Sequence, residues 1–404
     1  MLHLLLGTDW TANRDEVMKR IAADVAGRRG NRILMVPELI SHETERRLCA
    51  AAGDTASRYA EVLSFTRLAR RVADSMGSAA EECLDNGGRV VAMAAAAKNL
   101  SSRLKAYAAV ETKPEFLTGL IDAVDEFKRC RISSEDLSRA AEETEGSLAQ
   151  KLEELSLLME SYDALCSRGK RDPRDQMTWL LEQMEQGNFA REHVFYIDGF
   201  PDFTRQHLAI LEHLIQASPD VTVSLNCDRE SSHLLAFEKA GDTASQLLRC
   251  ARRAGVEVKI ETVPGKRLPL SPVREGLFQG AISRGAAKGC LDVVRAESPY
   301  LECMGAADRI RQLLAAGCRC RDITVVCTDM TVYQPLVNLV FHRLHIPVYQ
   351  SGTEDILQKS VIATVLMALD AALSGFDQKS VLRYLRSALS PVCLLYTSPS
   401  PRDA

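Results

Sequence analysis

Short apolar runs alternate along this chain with longer stretches in which apolar residues recur every three or four positions. Leu2 to Leu6 (LHLLL), Arg32 to Pro37 (RILMVP), Glu61 to Phe65 (EVLSF), Val194 to Asp198 (VFYID), Val221 to Leu225 (VTVSL) and Val256 to Val263 (VEVKIETV) are brief and β-prone. Glycine, proline or acidic residues bound most of them, the pattern of strands buried in a parallel sheet. Asp15 to Gly27, Glu38 to Ala51, Thr204 to Gln216 and Asp242 to Arg253 carry helical spacing, and Thr204 is placed to cap its helix. The alternation predicts an α/β fold, a parallel sheet with helices on both faces. Ligands of such sheets sit at the C-terminal ends of the strands. Those ends carry Gly7, Pro37-Glu38, Phe65-Thr66-Arg67 and Asp198-Gly199-Phe200.

From about Ala73 to Phe189 the strands stop and periodic Ala-, Leu- and Glu-rich segments take over, which predicts a helical subdomain inserted into the sheet. Pro264 to Arg284 has three prolines and reads as a connector. A second α/β unit follows. Strands are expected at Tyr300 to Cys303, Asp322 to Cys327 and Ile346 to Tyr349, with helices at Gly305 to Ala316, Val332 to Leu344, Ile356 to Leu373 and Gly375 to Leu389. The expected domains are 1–75 with 190–265, the insertion 76–189, a linker 266–296, an incomplete second α/β domain 297–390, and an artefactual polar tail 393–404.

Composition narrows the classes. At 404 residues, 46% hydrophobic and 26% charged, the chain resembles an ordinary globular protein. A net charge of −4 excludes a generally basic, histone-like binder but leaves room for a local basic groove. The twelve cysteines are scattered without a CxxC pair, so reduced thiols are expected and no metal site. Without a signal peptide or a long apolar span, the expected location is the cytoplasm, away from membranes.

The candidate chemistry sits at two strand ends. Strand, glycine, loop, helix is the arrangement of a phosphate-binding loop, whose full form is G-x-x-x-x-G-K-[ST]. Here Gly7 is followed, after four residues, by Ala12, Asn13 and Arg14, so the second glycine, the lysine and the Mg²⁺-binding hydroxyl are replaced. At the other end, Asp198 is followed by Gly199, where a P-loop helicase carries a glutamate that positions the attacking water. The reading is a superfamily-1-like P-loop frame that has lost its chemistry.

These motifs, in this order, resemble the N-terminal part of the AddB (RexB) subunit of bacterial ATP-dependent helicase–nucleases. The matching stretches include VPELIS (Val36 to Ser41), VLSFTRLARRV (Val62 to Val72), EFKRC (Glu126 to Cys130), YIDGFPDFT (Tyr196 to Thr204) and the later VTVSLNCD, GAADRIRQLL and CRDITVVCTD. The resemblance implies a subunit that processes double-strand breaks for homologous recombination, partnered by an AddA-type subunit that hydrolyses ATP, and acting on single- and double-stranded DNA ends. It implies Mg²⁺, a nuclease domain and a 4Fe–4S cluster in the full-length protein, none of them in this portion. Phe65, Arg67, Arg70 and Phe200 are implied contacts to a single-stranded recombination hotspot. Leu39, Ser41 and Arg70 stand at positions where the family pattern differs.

Other readings stay open at the level of the residues. Phe65 and Phe200 also suit core packing, and Arg67 and Arg70 also suit a solvated helix face. Lys128, Arg129, Arg131, Arg168, Lys170, Arg171 and Arg174 are read as solvated charges, with nucleic-acid contact as the alternative. As whole functions, an active superfamily-1-like DNA-dependent ATPase and a structural protein derived from a P-loop fold compete with the non-motor subunit.

Overall fold

A computed structural model describes residues 1–77, 83–107, 113–229, 234–279, 289–350, 356–387 and 389; the tail 393–404 lies outside them. The chain divides into two units, Met1–Leu291 and Asp292–Ala404. The break falls inside the expected linker, which also contains a helix, Ser271–Gln279.

The first unit holds a six-stranded, all-parallel sheet. Its strands are β1 (Leu2–Leu6), β2 (Arg32–Met35), β3 (Ala60–Leu63), β4 (Val194–Ile197), β5 (Val221–Leu225) and β6 (Val258–Thr262), in the order β3-β2-β4-β5-β1-β6. Every residue of β5 is buried, as a strand covered on both faces requires. The edge strand β6 is half-exposed and polar: its Glu261 accepts from both terminal nitrogens of Arg20, at 3.1 and 3.0 Å. Arg20 pulls that carboxyl down to about 2, although burial opposes the shift.

Helices α1 (Trp10–Ala26), α2 (Ser41–Ala52) and α3 (Phe65–Ser75) follow the first three strands. The described residues of the insertion form helices, α4 (Asn86–Asn99), α5 (Pro114–Arg129), α6 (Ser134–Glu142), α7 (Gly146–Cys166), α8 (Gln176–Gln186) and the short α9 (Phe189–Glu192), with one isolated β-bridge between Cys83 and Arg171. Its first four helices enclose a separate core that includes Met93, Leu120, Leu158 and Tyr162, while α8 packs with the sheet. α10 (Arg205–Ala217) starts at its cap, Thr204, whose hydroxyl accepts from the His207 N–H at 3.2 Å. α11 (Glu238–Arg253) leads to β6, and α12 is the linker helix, Ser271–Gln279.

One of the charges read as solvated is not. Lys128 is buried within 3.2 Å of Asp163, Asp172 and Asp175, while Arg174 stays partly exposed and donates to Asp125 at 2.7 Å. Asp172 has no exposed surface and lies between Lys128 and Arg89. The turn that looked like a run of solvated charges is drawn inward because one aspartate in it meets two cations from the helical core.

The second unit contains α13 (Pro299–Ala315), α14 (Met330–Arg343), α15 (Ser360–Leu373) and α16 (Gln378–Leu385). All three of its expected strands are corrected. Tyr300 to Cys303 is the first turn of α13, because the Ser298 hydroxyl accepts from the Leu301 N–H at 3.3 Å and Pro299 occupies the first helical position. Asp322 to Cys327 and Ile346 to Tyr349 form no ladder, and Val326 is 86% exposed. An apolar, β-prone run becomes a strand only where a neighbour takes up its N–H and C=O groups, and the described residues of this unit supply none.

Candidate functional site at the C-terminal edge of the sheet

The helix after Gly7 begins earlier than the sequence suggests. α1 starts at Trp10, so Ala12, Asn13 and Arg14 are helical residues and not part of a loop. The cause is Asp9. Its Oδ1 accepts from the Thr11 hydroxyl at 2.6 Å and from the Thr11 and Ala12 N–H groups at 3.0 and 3.3 Å. Its Oδ2 accepts from the Lys266 N–H at 2.9 Å. Burial would raise this carboxyl, but those four donors together hold it below the ordinary aspartate value. A side-chain carboxylate therefore sits on the helix N-terminus, where a phosphate-binding loop would hold phosphate.

Asn13 closes the cradle from the other side. Its buried amide donates to the carbonyls of Gly7 at 3.0 Å and Leu225 at 3.1 Å. A Cβ on Gly7 would lie 2.2 Å from Asn13 Oδ1 and 2.9 Å from the Val263 carbonyl, so glycine is required here by close packing. Arg14 Nε donates to Asp198 Oδ2 at 3.1 Å, with both side chains at most 10% exposed, and its guanidinium lies 4.9 Å from the centre of the Trp10 ring.

Gly199 has φ +82°, in the left-handed region, and a Cβ there would meet Ile40 at 3.1 Å and Pro37 at 3.4 Å. A glutamate at this position would be strained and crowded. The residues do not fit Mg²⁺-ATP: the one acid at this strand end is paired with an arginine, and neither a lysine nor a hydroxyl stands at the motif positions. Among the described residues, no group of three or more His, Cys, Asp or Glu is arranged to hold a metal, and no helix is long and apolar enough to cross a membrane.

Beside this pair lies an aromatic cluster. β3 ends at Leu63, two residues before the expected end, because Ser64 caps α3 by accepting from the Arg67 N–H at 3.3 Å. Phe65 consequently opens a helix, and it is only 5% exposed. Its ring stacks on His207 at 4.1 Å and meets Phe200 and Phe203 edgewise at 5.5 and 6.5 Å. Phe200 is half-buried, 5.2 Å from Phe203. Arg67 donates to Glu45 at 2.7 Å, and Arg70 is exposed. Leu39 is 90% exposed, whereas Ser41 is buried and donates to the Glu38 carbonyl at 2.9 Å.

Sequence reasoning passed over Asp9, Trp10, Phe203 and His207. The Asp-x-Thr cap and one of only two tryptophans, directly after the glycine loop, were the available signals. Trp10 is 53% exposed, a large apolar surface at the ligand edge of the sheet.

Burial pushes the His207 imidazole from 6.5 down to about 4, with Asp202 opposing only in part. The unfolded chain therefore takes up this proton before the folded one does. His207 leaves stability unchanged above pH 6.5 and removes it as pH falls from there to about 4, by about 3 kcal/mol in total. His207→Gln is expected to flatten that part of the pH dependence of urea unfolding. An unaltered slope would mean that the imidazole is solvated.

Residues 4–271 match the family described as ADDB, N-terminal. The chain is 29% identical over 377 residues to an ATP-dependent helicase/deoxyribonuclease subunit from Desulforudis audaxviator, covering 89% of this chain and 32% of that one. It is 26% identical over 392 residues to the protein of that name from Clostridium kluyveri, covering 93% and 34%. With the Clostridium acetobutylicum protein of the same name it shares 24% over 375 residues, covering 89% and 32%. The chain thus spans about a third of the length of the curated relatives it matches. With two thirds of its residues inside the family match, and with a glycine-bearing first strand and a DGF-bearing fourth strand in one parallel sheet, the chain belongs to the AddB family and corresponds to its N-terminal part.

Proposed function

We propose that this chain is the N-terminal part of a non-motor subunit of a helicase–nuclease that processes double-strand DNA ends for homologous recombination in the cytoplasm. An AddA-type partner hydrolyses ATP, and the nuclease and 4Fe–4S regions lie outside this stretch. The frame is P-loop NTPase-like. Its glycine strand β1 and acid strand β4 are separated by one strand, β5, so both motifs face one crevice at the C-terminal edge.

The observation that carries the non-motor reading is the Arg14–Asp198 pair, at 3.1 Å, beside an Asp9 that caps its own helix. The groups left in place of the phosphate grip are spent on each other. Purified chain is expected to show no ATP turnover above background, with or without DNA.

Single-stranded DNA then binds at the same edge, where Phe200 and Trp10 are partly exposed and Phe65 supports Phe200 from beneath. Aromatic faces stack bases with little regard to sequence, and nearby arginines hold the backbone. Phe200→Ala in the assembled complex is expected to leave DNA-end affinity within about twofold, because a duplex end is held through its phosphate backbone and offers no unpaired base for the ring to stack on, while the response to a recombination hotspot falls. An unaltered hotspot response would remove Phe200 from the site.

A further inference from the structure

We infer that the groove between the α5–α6 turn and helices α10 and α11 carries the sugar-phosphate backbone of single-stranded DNA toward Phe203 and Phe200. This rests on the DNA-binding reading above and adds a path and new residues to it. The groove has a volume of about 990 Å³, and its lining brings Arg131, Arg205, Arg249, Arg252 and Arg253 together around Phe203. The single acid in that lining, Glu212, pairs with Arg253 at 2.9 Å. Among the described residues, the other four arginines have no acidic partner, and all four are exposed.

A chain of net charge −4 does not gather such a cluster by average composition. Helix stability explains part of it, since Arg252 and Arg253 lie in the last turn of α11, where the dipole favours cations. Arg131 follows the C-cap of α5 and is favoured in the same way, its left-handed φ of 56° ending that helix. Arg205 is not explained so: it opens α10, where the dipole disfavours a cation. It nevertheless lines the same groove.

Charge alone would suit any anionic polymer. The aromatic end of the groove selects one with unpaired bases. Phe203 lines the groove and lies 5.2 Å from Phe200, so the guanidinium groups share the groove with one ring of an aromatic pair. That is the arrangement that follows a backbone on one side and stacks bases on the other. An acidic polypeptide would use the arginines and leave the rings uncovered.

The test uses the 404-residue chain and a labelled oligothymidylate of about twenty nucleotides, long enough for a binding site of this kind, read by fluorescence anisotropy across a salt series. The triple variant R205Q/R249Q/R252Q is expected to bind about tenfold more weakly at low salt, with the slope of log affinity against log salt reduced by about 2. The lysine counterpart R205K/R249K/R252K should retain most of the slope. All three side chains are exposed, so thermal unfolding should be unchanged in both variants and separates lost binding from lost fold. Wild-type affinity and slope in the glutamine variant would overturn the groove while leaving the DNA reading intact. Failure of the wild-type chain to bind the oligonucleotide would overturn both. Competition by polyglutamate of matched charge as effective as by unlabelled oligothymidylate would overturn the assignment in favour of an acidic polypeptide.

Discussion

Lys128→Met is expected to cost the chain roughly 3–5 kcal/mol of unfolding free energy, the scale for removing one partner from a buried ion network. The Lys128 ammonium lies 2.8 Å from Asp163, 2.8 Å from Asp175 and 3.2 Å from Asp172. Burial alone would lower its pKa, but the three carboxylates outweigh burial and raise it. Without the lysine, Asp172 keeps the Arg89 guanidinium at 3.4 Å, the Arg174 N–H at 2.8 Å and a hydrogen bond from Tyr162 against full burial. Methionine fills the space and supplies no charge.

The two aspartates respond to pH with opposite signs. For Asp172, burial pushes upward, but Lys128, the Arg174 N–H and Arg89 hold the folded value below 3.8. Its contribution is present above that value and is lost as pH falls through the folded one. For Asp175, burial prevails over Lys128 and raises the folded value, so it removes stability as pH climbs from 3.8 toward that value. In the variant, Asp175 loses its cation and Asp172 keeps only one of its two, Arg89. The stability gap between wild type and variant should therefore narrow on acidification, as the stranded carboxylates take up protons. Urea unfolding at neutral pH and near pH ~4 measures this, and Trp179 in α8 supplies a fluorescence signal close to the network. A loss under about 1 kcal/mol at neutral pH would mean that water reaches the cluster and screens it.

Asp198→Ala is the second large effect, again about 3–5 kcal/mol, because it leaves the Arg14 guanidinium buried without its carboxylate. ATP turnover should be at background before and after the change. The double variant Arg14→Met/Asp198→Leu is expected to regain much of the loss, since two apolar side chains can replace a buried pair at little cost. A double-mutant cycle on unfolding free energies reads the coupling directly. Gly199→Glu should not create an ATPase: its backbone is left-handed, and Ile40 and Pro37 stand where the side chain would start. Turnover by the wild-type chain that Asp198→Asn abolished would identify a motor and overturn the non-motor reading.

Much of the first unit was legible in the sequence because its strands are buried on both faces, and burial writes itself as uninterrupted apolar runs such as Leu2 to Leu6 and Val221 to Leu225. The absence of P-loop groups at the motif positions was legible too, since glycine, asparagine and arginine cannot do the work of glutamate, lysine and a hydroxyl in any fold. In the second unit the same kind of reading failed. Asp322 to Cys327 has the composition of a strand, but composition states only that a segment would pair, and pairing needs a neighbour.

What the amino-acid order determined by itself, then, was the alternation of strand and helix in the first unit, the helices between β3 and β4, and the absence of P-loop residues after β1 and of a glutamate after Asp198. Tertiary structure alone decided what took their place. Asn13 on the Leu225 carbonyl and Arg14 on Asp198 are contacts made only once β1, β4 and β5 lie side by side. The inward turn of Lys128 onto three aspartates and the meeting of arginines from three elements beside Phe203 have the same origin. Charge is carried by single residues at no fixed spacing, so its pairing is settled by distance in space and leaves no period in the chain.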